Sequence, residues 1–186
     1  FHVQSHTRRS GLMLDMKVGL YYGTSTGNTE NVAAIIHSMS DGIEIFTDID
    51  DFESVDKYDG FIFGAPTWHT GADTERSGTT WDSWLYNEIK TFNFKGKPVA
   101  LFGVGDAGSY SENFCDAMGE LYDCFNAAGA NFFGTVPCDS IEFDNSKAVR
   151  GDKFVGAVFD EDNEPEMSEV RAKSWVAQLQ AEGFPF

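Results

Sequence analysis

The sequence predicts an α/β fold: a doubly wound, five-stranded parallel sheet with helices on both faces and a fifth strand split by an insertion. Three observations carry this reading. Short apolar runs alternate with amphipathic stretches along the chain, the pattern of parallel strands joined by right-handed crossovers. The first run, Lys17 to Tyr22, passes through a hydroxyl-rich turn directly into a helical pattern. The 186 residues suit one domain with a single sizeable core.

The elements follow in order. After the first strand, Val32, Ile35, Ile36 and Met39 mark a helix at 3.6-residue spacing, with His37 on its solvent side. Ile43 to Phe46 is the second strand, and Phe61 to Phe63, closing into Gly64-Ala65-Pro66, the third. Trp81, Trp84, Leu85 and Ile89 fall on one face of the next helix, and Val99 to Phe102 is a fourth strand ending at Gly103. A long helix follows, with Phe114, Met118, Leu121 and Phe125 as its inner stripe and Gly129 as its stop. Phe132 and Phe133 begin a fifth strand that resumes at Phe154 to Phe159, so an insertion of roughly Pro137 to Lys153 divides it. A last helix begins near Ser168, with Val170, Trp175 and Leu179 facing in.

Composition narrows the function classes. With 13 Lys and Arg against 30 Asp and Glu the formal charge is -17, and from Lys17 onward 11 basic and 29 acidic residues leave -18. Nucleic acid and anionic membrane would be repelled by such a surface. The charge either serves solubility alone or steers basic partners; its clusters are Asp48, Asp50, Asp51 and Glu53, and Asp160, Glu161, Asp162, Glu164 and Glu166. No apolar run approaches the roughly 20 residues of a membrane span. The three cysteines, Cys115, Cys124 and Cys138, have neither disulfide nor metal spacing and read as buried thiols. Residues 1–16, with Arg8 and Arg9 among hydroxyl residues, read as a transit-peptide remnant or an expression scar, and 17–186 as the folded domain.

In a doubly wound sheet, ligands sit beyond the carboxyl ends of the strands, so the loops after strands one, three and four matter most. The first reads Thr24-Ser25-Thr26-Gly27-Asn28-Thr29. It points hydroxyls and backbone N–H groups at the positive end of a helix, an arrangement suited to phosphate. No Lys or Arg lies between Lys17 and Lys57, and the Gly-Lys-Ser/Thr ending of nucleoside-triphosphate loops is missing. A stably held phosphoester is therefore expected. The second loop opens Pro66-Thr67-Trp68-His69-Thr70-Gly71, and the third Gly103-Val104-Gly105-Asp106, reaching Tyr110. Each sets one large aromatic among small residues, and two aromatics at one cleft can stack on a flat heteroaromatic ring. Phosphate plus ring describes a mononucleotide, and with no spaced-glycine dinucleotide fingerprint the best fit is flavin mononucleotide (FMN).

From Lys17 to Leu179 the chain resembles the flavodoxin family, of the long-chain kind and closest to those of algae. The motifs are Thr24 to Thr29, Pro66-Thr67-Trp68, Gly71-Ala72-Asp73-Thr74-Glu75-Arg76-Ser77-Gly78, Gly105-Asp106, Tyr110 and Asn113-Phe114. They continue through Ser146-Lys147-Ala148-Val149-Arg150, Lys153 to Gly156, Asp160 to Asn163 and Lys173-Ser174-Trp175-Val176, all in family order. The strand order 2-1-3-4-5, with FMN at the switch between strands one and three, is that of the family itself and is implied by the resemblance. So is the assignment of Thr24, Ser25, Thr26, Gly27, Asn28 and Thr29 to the FMN phosphate, with Trp68 and Tyr110 on the two ring faces. Pro66, Thr67, His69, Thr70 and Gly71, with Gly103, Val104, Gly105 and Asp106, are assigned to the ring's surroundings, and Asp162 to the ribityl chain.

The resemblance further implies a low-potential one-electron carrier that cycles between semiquinone and hydroquinone. It would replace ferredoxin between photosystem I and ferredoxin-NADP reductase, as a monomer docking on basic surfaces of redox proteins. Its place would be the plastid stroma if algal, otherwise the cytoplasm. The chain would then be a carrier and not an enzyme, with no catalytic residues and no metal. Its rivals are an FMN-dependent NAD(P)H:quinone oxidoreductase of the same fold, disfavoured by bulky Trp68 over one ring face, and an interaction module that has lost its cofactor. Many relatives have Asn where this chain has His69, which either modulates the flavin as pH changes or, the preferred reading, is an exposed loop residue without a selective role. The insertion is read as a partner-docking segment.

Overall fold

A computed structural model describes residues 15–186. The proposed leader, residues 1–16, falls almost wholly outside them. The strands that start the fold are β1 (Val18–Tyr22), β2 (Ile43–Asp48), β3 (Gly60–Pro66) and β4 (Pro98–Val104). Two pieces complete the sheet, β5 (Asn131–Phe133) beside Pro98 to Ala100 of β4, and a later segment, Ala157–Phe159, beside Phe102 to Val104. Every pairing is parallel, and the order is 2-1-3-4-5 with the fifth position shared between these two pieces.

Between the two halves of that strand lie β6 (Val136–Pro137), β7 (Val149–Arg150) and β8 (Lys153–Phe154), which form a small antiparallel sheet in the order 6-8-7; Ala157–Phe159 is then β9. The run Phe154 to Phe159 is thus not one strand. Phe154 pairs with both Val136 and Val149 and buries its ring against Phe114 and Phe143, so only Ala157 onward is free to join β4.

Helices α1 (Asn28–Ser38) and α4 (Ser168–Ala181) cover one face of the sheet; α2 (Trp81–Trp84) and α3 (Asp116–Ala127) cover the other. The alternation of strand side chains sorts the core accordingly. Tyr21, Phe61, Phe63 and Leu101 face α2 and α3, while Leu20, Ile62 and Phe102 face α1 and α4. Among the described residues no helix is long and apolar enough to cross a membrane.

Three local expectations need correcting. The helix carrying Trp81, Trp84, Leu85 and Ile89 stops after one turn and resumes as a 3-10 turn at Glu88–Thr91, although all four side chains are buried. Asn87 directs both its backbone N–H and its side-chain amide to the Ser83 carbonyl, at 3.1 Å each, the competition by which such residues interrupt helices. His37 is half-buried against the Phe46 ring, 4.8 Å between centroids, not turned to solvent. Val170 is 60% exposed, because the inner stripe of α4 is Ala172, Trp175, Val176 and Leu179, and a residue two places before Ala172 lies about 200° around the helix. Val170→Ser is accordingly expected to change stability by less than about 0.5 kcal/mol. Urea unfolding checks this, and a loss of 2 kcal/mol would place Val170 back in the core.

Candidate functional site: a cleft at the carboxyl ends of the strands

The loop between β1 and α1 is seated by the Gly23 N–H, which donates to the Gly64 carbonyl at 3.0 Å. Gly27 is left-handed (φ 95) just before the helix, and its N–H donates to Thr24 Oγ1 at 3.1 Å. No side chain caps α1, so its first N–H groups stay unclaimed by any capping residue. Next to them is Thr29, 1% exposed, whose Oγ1 is buried without a hydrogen-bond partner among the described residues. Buried hydroxyls are nearly always paired, so an orphan at a helix start marks a place made for an acceptor from outside the chain.

After β3, Thr67 Oγ1 accepts from the Ala117 N–H at 3.0 Å, which fixes the second loop to the start of α3. The Trp68 and His69 N–H groups donate to the Arg76 carbonyl (3.2 and 3.1 Å), closing a compact loop. At its tip the Ala72 N–H returns to the His69 carbonyl with Gly71 at φ 80, the left-handed third position of a turn that glycine takes at little cost. Glu75 is also left-handed (φ 58), a strained setting for a side-chain-bearing residue. It is held by the buried Glu120 carboxylate, which accepts from the Glu75 and Arg76 N–H groups at 2.7 and 2.9 Å and from the Tyr86 hydroxyl. Asp82 secures the loop's end, accepting from the Ser77 and Gly78 N–H groups at 2.9 Å each.

The third loop leaves β4 at Val104. The Gly105 N–H donates to the Phe159 carbonyl, the Ala107 N–H to Asp160 Oδ2 and the Tyr110 N–H to the Asp106 carbonyl. Buried Asp160 also accepts from the N–H groups of Asp162 and Asn163. Asn163 Nδ2 bridges Asp160 to Asp106. Burial pushes the Asp106 carboxyl up, but hydrogen bonds from Asn163 and Ser109 outweigh it and hold the group below the usual carboxylate range. Asp162 is pushed upward by burial and by the charges of Asp106 and Asp160.

The three loops share one cleft. Thr24, Ser25, Thr26, Asn28 and Thr29 line one part of it, Pro66, Thr67 and Trp68 another, and Val104, Gly105, Asp106, Tyr110 and Asp162 the rest. No Lys or Arg is among these residues. Trp68 and Tyr110 are 50% and 52% exposed, and large half-exposed aromatics gathered at one cleft signal a binding surface.

A family model described as Flavodoxin matches residues 20–175, a span that holds all three loops. The chain belongs to the flavodoxin family. It is 40% identical over 171 residues to the flavodoxin of Synechococcus elongatus, covering 89% of this chain and 97% of that one. It is 38% identical over 174 residues to Flavodoxin 1 of Azotobacter vinelandii, covering 91% and 98%. Among solved structures, Fusobacterium nucleatum flavodoxin bound to flavin mononucleotide superposes with a TM-score of 0.78 at 24% identity, covering 89% of this chain and 98% of that one; this likeness shows the shared fold.

Within this flavodoxin fold, five of the residues singled out from sequence do not line the cleft: Gly27, His69, Thr70, Gly71 and Gly103. Gly27 and Gly71 shape their turns, and Gly103 sits within β4. His69 is not idle, since its Nδ1 meets the Glu75 carbonyl at 2.5 Å and lies 3.5 Å from Asp82 Oδ2, adding to the loop's closure. Sequence reading missed Glu120 and Asp82 and gave no positioning role to Asp160 and Asn163, all of which touch the loops and do not line the cleft. One signal was available: Asp116 and Glu120 stand at i, i+4 beside the apolar stripe of α3, where a carboxylate must have partners to be buried. The three thiols are free. Burial holds Cys115 well above its ordinary pKa and pushes Cys124 up to about 11, so both stay protonated and unreactive near neutrality.

Proposed function

We propose that this cleft binds FMN and that the chain is a low-potential one-electron carrier, not an enzyme. The observation that carries the reading is the orphaned Thr29 hydroxyl at an uncapped helix start, in the same cleft as two half-exposed aromatics. Thr24 to Thr29 would hold the phosphate by neutral hydrogen bonds and the helix dipole. Trp68 and Tyr110 would stack on the flat ring, and Asp162 would neighbour the ribityl chain. FMN supplies the redox chemistry when bound, taking up and releasing electrons one at a time.

The chain's own part is to tune and to dock. Negative charge added to the cleft meets Asp106 and Asp162 with no lining Lys or Arg to offset it, which makes the last electron hard to add and the potential low. The -17 net charge suits partners with basic docking surfaces. On this reading they are photosystem I as donor and ferredoxin-NADP reductase as acceptor, with the chain standing in for ferredoxin.

An anaerobic redox titration of the FMN-loaded protein tests the proposal. Two separated one-electron midpoints are expected, the lower one well below that of free FMN, with each shift of about 59 mV reporting a tenfold change in relative affinity. A single two-electron step would overturn the carrier in favour of the quinone-reductase reading.

A further inference from the structure

The segment that splits the fifth strand reaches the Trp68 loop. Its strap of residues 145–148 crosses α3 at Gly119, where a Cβ would lie 2.1 Å from the Lys147 carbonyl oxygen and 2.5 Å from its carbon. Only glycine admits so close a crossing, which accounts for a helix-weakening residue in the middle of α3. The strap is held down by the Lys147 N–H on buried Asp116 Oδ1 at 2.7 Å and by the Asn145 carbonyl, which accepts from the Phe114 N–H at 3.2 Å.

From this seat the Lys147 ammonium donates to the Ala72 carbonyl at 2.8 Å. The same oxygen accepts from Arg76 Nε at 3.1 Å, so two cations converge on one carbonyl at the tip of the His69–Ala72 turn. Arg76 also donates to the carbonyls of Asp73 and Asp116, at 2.8 and 3.3 Å, and Lys147 Nζ lies 3.8 Å from Asp73 Oδ1. Charge-assisted bonds of this kind are stronger than neutral ones.

We propose that Lys147 is a positioning residue for Trp68. The insertion is a brace, seated on α3 through Gly119, that uses this ammonium to pin the far end of the Trp68 turn and limit its movement. Its bearing on electron transfer rests on the FMN reading above; its bearing on the loop does not. The role differs from the docking function expected of the insertion from sequence, because it acts inside the molecule.

Residue-resolved amide hydrogen exchange on the full chain tests the brace, with and without FMN. In Lys147→Met the Trp68 and His69 amides, bonded to the Arg76 carbonyl, should exchange about tenfold faster, while amides of β3 and β4 keep the parent rates and so report an intact fold. Lys147→Arg should restore most of the protection. Gly119→Ala should reproduce the loss with every charge still present, because it lifts the strap. In the FMN-loaded protein the gap between the two one-electron midpoints should differ from the parent's in Lys147→Met, because Trp68 lines the cleft and would stack on the ring. Unchanged exchange at Trp68 and His69, or no rescue by arginine, overturns the proposal; unmoved midpoints overturn the brace's effect on the cofactor. Failure of the parent protein to take up FMN counts instead against the carrier reading, and the exchange rates still decide the brace.

Discussion

Thr29→Val is expected to weaken FMN binding about 10- to 100-fold, the value of a hydrogen bond to a charged group, while leaving the FMN-free protein as stable as before or more so. The two effects have opposite signs for one reason. In the free chain the Thr29 hydroxyl is buried with no partner among the described residues, a standing cost that a methyl group of similar size removes. With FMN bound, the same hydroxyl would donate to the phosphate. Titration followed by quenching of flavin fluorescence gives the affinity, and urea unfolding of the FMN-free protein gives the stability. Equal affinity in the two proteins would show that the phosphate does not lie at the start of α1 and would remove the main support for the site.

The largest effect on folding should come from Phe63→Ala, with an expected loss of about 3–5 kcal/mol. Phe63 is fully buried in the middle of β3 and stacks on Phe125 with 4.5 Å between centroids and 10° between planes. It meets the edge of Trp81 at 5.5 Å and lies within 6.3 Å of Phe61, Phe94, Phe52 and Tyr21. Rings flanked by a sheet on one side and α3 on the other cannot collapse into the space a lost phenyl leaves, so the cavity term adds to the transfer term. Against a typical domain stability of about 5–15 kcal/mol, the urea midpoint should fall steeply. A loss under about 1 kcal/mol would mean that the ring cluster is not the packed core described here.

Much of the architecture was legible because it depends on local pattern. Each buried parallel strand is a largely continuous apolar run, as in Phe61-Ile62-Phe63 within β3. Gly129, at φ 85, lies just beyond the end of α3, at Ala127, as its stop signal implied. The split of the fifth strand could be read because its two halves are both apolar and lie too far apart for one strand. Local pattern failed where two solutions share the same residues. Val170 is apolar at a plausible helical phase, and only contact with the sheet chose the stripe two residues away. Phe154 adjoins a strand of the main sheet, yet antiparallel partners on both sides capture it first.

By itself, then, the sequence determined the order of strands and helices along the chain and the three loops that could meet beyond the sheet's carboxyl edge. It also determined the chemistry they bring, namely hydroxyls, two aromatics and a first loop with no Lys or Arg between Lys17 and Lys57. Only the tertiary structure decided which residues of those loops line the cleft, that the Thr29 hydroxyl has no partner among the described residues, and which side chains hold the Trp68 loop in place. Strand and helix patterns arise from interactions within a few residues, which a sequence displays directly. Glu120 reaches Arg76 across 44 positions and Lys147 reaches Ala72 across 75, and contacts of that range exist only once packing has brought α3 and the insertion together.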